Sequence, residues 1–158
     1  SLGQARPTPH QVGVQRGDRR PADRDKPLLT ALAAQQSRPR VGIDVVDIER
    51  FRTTLERTPS MRTRVFTQIE LDYVAPQSDP IPSLAARFAA REAVMKSLGL
   101  GLGAFSFHDV WVERAASGAP SLAITGRAAE LAQAAGVTRW HLSLTHSDLV
   151  AAAYVVCE

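Results

Sequence analysis

The sequence has 158 residues, about the length of one domain, and 44% of them are hydrophobic, which is enough for one compact core. The single cysteine, Cys157, excludes a disulfide framework within the chain and is typical of a protein in a reducing cytosol. No apolar run approaches the roughly 20 residues that cross a bilayer, and the N-terminal segment lacks the apolar core of a secretory signal. We therefore expect a cytoplasmic protein that neither spans a membrane nor is exported.

The formal net charge of +3 is unevenly distributed along the chain. Residues 1–40 hold eight basic and three acidic side chains and five prolines, whereas residues 41–158 carry a net charge of −2. The first segment buries too little apolar surface to offset the entropy of ordering it, so we expect a flexible basic extension, or a remnant of processing or expression. It has no aromatic side chains for base stacking, which disfavours nucleic-acid binding.

From residue 41 onward, short apolar segments predict a folded domain that reaches residue 158. Val41–Val46 predicts a buried strand, and apolar residues at every third or fourth position predict a helix from Asp47. Thr67–Glu70 has the form of a capping box and predicts a second short helix. Ser83 is expected to cap a long Ala-rich helix that ends at Gly99.

The C-terminal half predicts four strands and one helix. The expected strands are Phe107–Glu113, Ser121–Thr125, Trp140–Thr145 and Val150–Cys157. The helix is expected to run from Gly126 to about Ala135 and to end at Gly136. The elements together predict an α+β fold, with helices packed on one face of a mostly antiparallel sheet.

Glu92 and Lys96 lie four positions apart in the predicted long helix, so their side chains share one face. One interpretation is a solvated ion pair worth about 0.2–0.5 kcal/mol. The other is a functional pair, because the alanines at positions 85, 89 and 93 let a ligand or another backbone approach closely. A helix packed against a sheet has the same pattern, so both interpretations stay open.

Asp44 lies inside an apolar strand, where a carboxylate is costly unless a partner or a metal ion binds it. The alternative is a carboxylate at the strand end that caps the following helix. His146 ends a predicted strand among three hydroxyl side chains and is either a hydrogen-bonded structural residue or part of a site. No GxSxG elbow, CxxC or HExxH motif is present, which disfavours a hydrolase triad and a zinc site.

Arg50 and Arg57 are seven positions apart, opposite the apolar stripe of the first predicted helix. Most such charges only solvate the surface of a protein. The alternative is that an exposed basic helix steers an acidic protein partner.

In their order, the segments VGIDVVDIERF, FTQIE, RFAAREAVMKSLG, SGAP and LSLTHSDLVAAAYVV resemble the bacterial holo-acyl-carrier-protein synthases, the small class of 4′-phosphopantetheinyl transferases. The resemblance covers Val41–Glu158. It implies the fold of this family, a homotrimer with sites between neighbouring subunits, and a Mg²⁺-dependent reaction. That reaction moves phosphopantetheine from coenzyme A to a serine of apo acyl carrier protein and releases adenosine 3′,5′-bisphosphate.

The resemblance implies that Asp44, in the family's G-[IV]-D motif, and Glu92, in its [KR]-E-A-x-x-K motif, bind the metal. It implies that Lys96, the last residue of the second motif, contacts the phosphates of the coenzyme. These three residues are the expected catalytic set, with Glu92 acting through a metal-bound water as general base and Asp44 as the second choice. Carboxylates together with substrate phosphates are a natural ligand set for Mg²⁺.

The resemblance also implies a set of binding residues. Those expected near the nucleotide are Gly118 and Pro120 of the G-K-P loop, and Thr145, His146 and Ser147 of the S-x-[ST]-H region. Those expected to engage the acidic helix of the carrier protein are Arg50, Arg57 and Arg64.

Two positions depart from the family pattern. The central lysine of the G-K-P loop is Ala119 here, so either another base substitutes or coenzyme A binds more weakly. The lysine before Glu92 is Arg91, which keeps the charge and changes the donor geometry. These departures motivate an alternative, a catalytically silent coenzyme-binding or scaffold subunit with the same fold.

Overall fold

The computed structural model describes residues 26–31 and 38–158. Of the extension predicted over residues 1–40, residues 26–31 are helical, and the other predictions for that segment lie mostly outside the described residues. The elements are β1 Arg40–Asp47, α1 Ile48–Arg57, α2 Met61–Val65, α3 Gln68–Val74, α4 Ile81–Ser97, β2 Val110–Arg114, β3 Pro120–Ile124, α5 Gly126–Ala134, β4 Trp140–His146 and β5 Val150–Cys157.

The strands form two antiparallel sheets. Strands β1, β5 and β4 pair in that order, with Ala153 of β5 opposite both Asp44 of β1 and Leu144 of β4. Strands β2 and β3 form a separate hairpin that packs beside β4. The predicted α+β fold with antiparallel strands is therefore confirmed.

Helix α4 lies across one face of the three-stranded sheet and forms the centre of the core. Its alanines at positions 85, 89 and 93 are fully buried, so they pack in the core and do not open the helix to a ligand. A Cβ atom added to Gly42 of β1 would lie 1.8 Å from the carbonyl oxygen of Ala93. Small residues thus bring the backbones of β1 and α4 into direct contact.

The helices that precede α4 follow their sequence patterns closely. Ile48, Phe51 and Leu55 form the buried stripe of α1, as predicted. The predicted capping box at the start of α3 is present, with the Thr67 amide donating to Glu70 Oε2 at 3.0 Å. These contacts fix the helices that flank the sheet.

Ser83 does not cap α4, which begins at Ile81 with a proline in its first turn. Proline lacks an amide hydrogen and has a helical φ, so it fits the first turn of a helix, and α4 begins earlier than predicted. The Ser83 hydroxyl instead donates to Gln77 Oε1 at 2.8 Å.

The strand predicted from Phe107 begins only at Val110, because Phe107–Asp109 forms a 3₁₀ helix. Ser106 and Asp109 cap this turn reciprocally, and the Asp109 carboxylate also accepts from the amide of Arg127 at 3.1 Å. The local capping bonds compete successfully with strand pairing here.

On the face of the sheet opposite α4, the part that β1 and β5 form is apolar and open, whereas β4 places Ser143 and Thr145 there. Val41, Ile43 and Val45 of β1 are 52% to 57% exposed, and Tyr154 of β5 lies beside them. The prediction that Val41–Val46 is a buried strand is therefore wrong for this face, because α4 covers only the other face of β1. Among residues 26–31 and 38–158, no helix is both long enough and apolar enough to cross a membrane.

Candidate active site

A cavity of about 430 Å³ lies between β1, α1 and α4, and we call it the carboxylate cavity. Asp44 enters it from β1 and Glu92 from α4, so the structure brings these two residues of different motifs together. Arg50 lines the same cavity, and Phe51 and Phe88 give it an apolar side. Two acids far apart in sequence therefore share one partly enclosed space.

Lys96 connects the two elements that carry these acids. Its ammonium group donates to Asp44 Oδ1 at 2.7 Å and to the carbonyl of Ile43 at 3.0 Å. The side chain of Asp44 is 14% exposed and that of Lys96 is 52% exposed. The cap of α1 is Asp47, which accepts from the amide of Arg50 at 2.8 Å, so the interpretation of Asp44 as the helix cap is wrong.

The surroundings of Glu92 favour the presence of a cation. Burial raises the pKa of its carboxyl group, the negative charge of Asp44 raises it further, and Lys96 opposes both effects. A divalent cation between the two carboxylates would remove this repulsion, and carboxylate oxygens suit Mg²⁺. No group of three or more His, Cys, Asp or Glu side chains able to hold a metal occurs in the described ranges.

A second cavity, of about 280 Å³, lies at the opposite edge of the sheet, and we call it the basic cavity. Pro120 of β3 and Thr145 and His146 of β4 line it, so three of the residues expected near the nucleotide meet here. Arg87 of α4 and Arg114 of β2 also line it, and neither was predicted from the sequence.

Arg87 is 6% exposed and stacks on an aromatic ring, with its Cζ atom 4.3 Å from the centre of the Tyr73 ring. Its Nη1 atom donates to the carbonyl of Ser83 at 3.2 Å, whereas Nε is buried without a hydrogen-bond partner in the described structure. Burial lowers the pKa of Arg87. The sequence did offer one signal for Arg87, because it is an arginine within the mostly apolar first half of an Ala-rich helix.

Gly118 and Ser147 are not among the residues that line the basic cavity. Gly118 lies in the β2–β3 turn with a φ of 84°, a conformation that favours glycine. The Ser147 hydroxyl accepts from the amides of Leu149 and Val150, each at 3.2 Å, and so shapes the β4–β5 turn. Both residues thus support loops beside the cavity.

Arg91 points into the core, away from both cavities. It is fully buried and binds the fully buried Glu70 through two bonds, Nη1 to Oε1 at 2.9 Å and Nη2 to Oε2 at 2.6 Å. Its Nε atom donates to the carbonyl of Phe107 at 2.9 Å. The arginine before Glu92 therefore holds α4, α3 and the 3₁₀ turn together.

The three arginines expected to contact the carrier protein are all exposed. Arg50 and Arg57 lie on α1, and Arg64 lies on α2. Of the three, Arg50 also lines the carboxylate cavity, which places it between the surface and the acids.

Comparisons with known proteins give one family. Residues 40–155 match the model of the 4′-phosphopantetheinyl transferase superfamily. Holo-[acyl-carrier-protein] synthase of Micrococcus luteus is 48% identical over 120 residues, which cover 75% of this chain and 90% of that protein. The protein of the same name from Streptomyces avermitilis is 50% identical over 119 residues, covering 75% and 95%.

Solved structures agree with this result. The holo-[acyl-carrier-protein] synthase of Neisseria meningitidis has a TM-score of 0.69 at 29% identity, covering 75% of this chain and 97% of that one. The Helicobacter pylori synthase in complex with coenzyme A has a TM-score of 0.64 at 27% identity, covering 75% and 99%. The chain therefore belongs to the 4′-phosphopantetheinyl transferase superfamily, as the order of its motifs predicted.

Proposed function

We infer that this chain transfers 4′-phosphopantetheine from coenzyme A to a serine of apo acyl carrier protein, which yields adenosine 3′,5′-bisphosphate. The observation that carries the inference is that Asp44 and Glu92, from two separate motifs, meet at one cavity, with Lys96 bound to Asp44. Relatives that are 48% and 50% identical are holo-[acyl-carrier-protein] synthases, and a structural neighbour binds coenzyme A.

The chemistry follows from the charges at this cavity. Asp44 and Glu92 would hold Mg²⁺. When bound, this ion supplies positive charge that offsets the negative charge of the diphosphate. The ammonium group of Lys96, already within 2.7 Å of Asp44, lies where it can neutralise the phosphate oxygens. These groups would make the β-phosphorus a better electrophile and adenosine 3′,5′-bisphosphate a better leaving group.

The transfer itself is a displacement at the β-phosphorus of coenzyme A. The serine oxygen of the carrier protein forms the new bond to phosphorus, and the bond from phosphorus to the bridging oxygen breaks. The bridging oxygen leaves with adenosine 3′,5′-bisphosphate. Glu92 would act as the general base that takes the serine proton, with Asp44 as the second choice.

The basic cavity provides a site for the nucleotide end of the coenzyme. Arg87 and His146 face it, and no carboxylate occurs among its lining residues in the described structure. It lies beside β4, whereas the carboxylate cavity lies beside β1, and these are the two edges of the sheet, with α4 between them.

We propose that the functional unit is a homotrimer in which one subunit supplies the carboxylates and its neighbour supplies the basic cavity. The open apolar face at Val41, Ile43 and Val45 supports this assembly, because exposed apolar patches of this kind mark interfaces. The exposed arginines of α1 and α2 would contact the acidic carrier protein. They are Arg50, Arg57 and Arg64. A cytoplasmic location accords with the lone free cysteine, Cys157.

The test is mass spectrometry of an apo carrier protein after incubation with coenzyme A, Mg²⁺ and this protein. We expect a gain of roughly 340 Da, the mass of one phosphopantetheine group. Glu92→Ala should abolish the gain while melting like the native protein, and a chelator should abolish it as well. Glu130→Ala, which removes an exposed acid on α5, is the matched control.

Two outcomes of this experiment would contradict the proposal. Full labelling by the Glu92→Ala variant would reject the assigned site. Binding of coenzyme A without labelling of any carrier protein would favour the alternative, a catalytically silent coenzyme-binding subunit.

A further inference from the structure

Arg114 is one of the two arginines of the basic cavity that the sequence did not predict. It lies at the end of β2, opposite Pro120 in the ladder, so its side chain begins beside a residue that lines the cavity. Its Nη2 atom donates to the Tyr73 hydroxyl at 2.6 Å and its Nη1 atom donates to the Gly118 carbonyl at 3.0 Å. Although it is an exposed residue, its guanidinium group is fixed by the protein.

Tyr73 holds two guanidinium groups at once. The Cζ atoms of Arg87 and Arg114 lie 4.3 Å and 5.1 Å from the centre of its ring. Burial lowers the pKa of Arg87, Glu70 and Tyr73 oppose this effect, and the positive charge of Arg114 lowers the pKa a little further. Two like charges on one ring repel each other, and an anion bound between them would remove the repulsion.

The β2–β3 turn supplies no cation of its own to this cavity. Residue 119 is alanine, and its carbonyl oxygen accepts from the amide of Ala115 at 2.8 Å, which closes the turn. The same turn orients the Gly118 carbonyl toward Arg114. The hairpin therefore presents positive charge to the cavity through Arg114, the last residue of β2 before the turn.

We propose that Arg114, positioned by Tyr73, binds a phosphate monoester of the substrate and determines specificity for it. The inference rests on the proposed function, in which the diphosphate of coenzyme A lies at Asp44, Glu92 and Lys96. The other phosphate of coenzyme A is the monoester on the ribose 3′ oxygen, and it matches a basic cavity without carboxylates. This chain should therefore discriminate coenzyme A from 3′-dephospho-coenzyme A through Arg114.

Binding can be measured without turnover by calorimetry with adenosine 3′,5′-bisphosphate and with adenosine 5′-monophosphate, which lacks the 3′ phosphate. We expect Arg114→Ala to weaken binding of the bisphosphate by about 10- to 100-fold, as for loss of a charge-assisted contact. Binding of the monophosphate should change little. Arg139→Ala, which removes an exposed arginine near the C-terminus, is the matched control.

Steady-state kinetics give a second readout. Arg114→Ala should raise the KM for coenzyme A by about 10- to 100-fold with little change in kcat, and should leave the KM for 3′-dephospho-coenzyme A unchanged. Tyr73→Phe keeps the ring under Arg87 but removes the acceptor of Arg114, so we expect a rise in the KM for coenzyme A of about 3- to 10-fold.

The outcomes separate this inference from the proposed function. If the native protein labels the carrier and Arg114→Ala shows equal changes for both coenzymes, or none, the role of Arg114 is wrong and the transferase assignment stands. An unchanged KM in Tyr73→Phe would overturn the positioning role of Tyr73. A native protein that neither labels a carrier nor binds coenzyme A would contradict the proposed function itself.

Discussion

Arg91 and Glu70 form an ion pair that is completely removed from solvent. The guanidinium group also lies 5.2 Å from the centre of the Phe66 ring, and Glu70 Oε1 accepts from the amide of Val112 at 3.1 Å. All these bonds satisfy charges that would be costly if buried alone. The pair fixes the segment of α4 that carries Glu92 without contacting the reacting groups.

We expect Arg91→Met to lower the free energy of unfolding by about 3–5 kcal/mol, because it leaves the Glu70 carboxylate buried without its partner. The double variant Glu70→Leu/Arg91→Met removes both charges and should cost less than Arg91→Met alone. Urea denaturation followed by circular dichroism gives both values. If the costs of Arg91→Met and of the single variant Glu70→Leu simply add in the double variant, the ion pair is not the source of the loss.

The sequence identifies a candidate site residue where the chemistry of its side chain conflicts with the neighbouring residues in the chain. Asp44 was conspicuous because a carboxylate is costly inside an apolar strand, and the structure pairs it with Lys96. Arg87 and Tyr73 were missed because they come from α4 and α3, and only the packing of these helices brings them into contact. Helical periodicity indicates a buried face but not which distant side chain covers it.

At the scale of elements, the sequence predicted β5 and the buried stripe of α1 correctly, because a short apolar run after turn residues indicates the first and a helical repeat indicates the second. It failed where local bonds compete with the pattern. The Pro at position 82 moved the start of α4 forward to Ile81, and the Ser106–Asp109 caps replaced the first part of β2 with a 3₁₀ turn. Hydrophobic periodicity does not show whether a local capping bond forms, so it could not predict these two differences.

Helices α1 and α2 present the exposed arginines to one side of the carboxylate cavity. We expect the charge reversal Arg57→Glu/Arg64→Glu to raise the KM for the carrier protein by about 10-fold, because it replaces attraction to an acidic helix with repulsion. The KM for coenzyme A should not change. Arg50→Glu should affect both KM values, because Arg50 also lines the cavity.

Kinetics at several salt concentrations check this prediction. The native protein should lose affinity for the carrier protein as salt rises, and the double variant should not. Arg139→Glu, which changes an exposed arginine between α5 and β4, is the control for a change in net charge. An unchanged KM for the carrier protein would mean that Arg57 and Arg64 only solvate the surface.

For the whole molecule, a single chain leaves an apolar face exposed and two cavities separated, and the proposed trimer would account for both features. Val41, Ile43 and Val45 expose an apolar face that water does not favour, and the two cavities lie at opposite edges of the sheet. A cyclic trimer uses a heterologous interface, in which one edge of each subunit meets a different edge of the next. That arrangement would cover the apolar face and bring a carboxylate cavity to a basic cavity.

Mixing two inactive variants tests this arrangement. Glu92→Ala removes the carboxylate side, and the double variant Arg87→Ala/His146→Ala removes the basic side, so each alone should be inactive. In trimers assembled randomly from equal amounts of both, about one quarter of the interfaces would join two intact halves, so we expect about one quarter of the native activity. Mixing after folding into stable trimers should restore nothing and is the control. If coexpression restores no activity although mixed trimers form, each site lies within a single subunit, and the shared site is wrong.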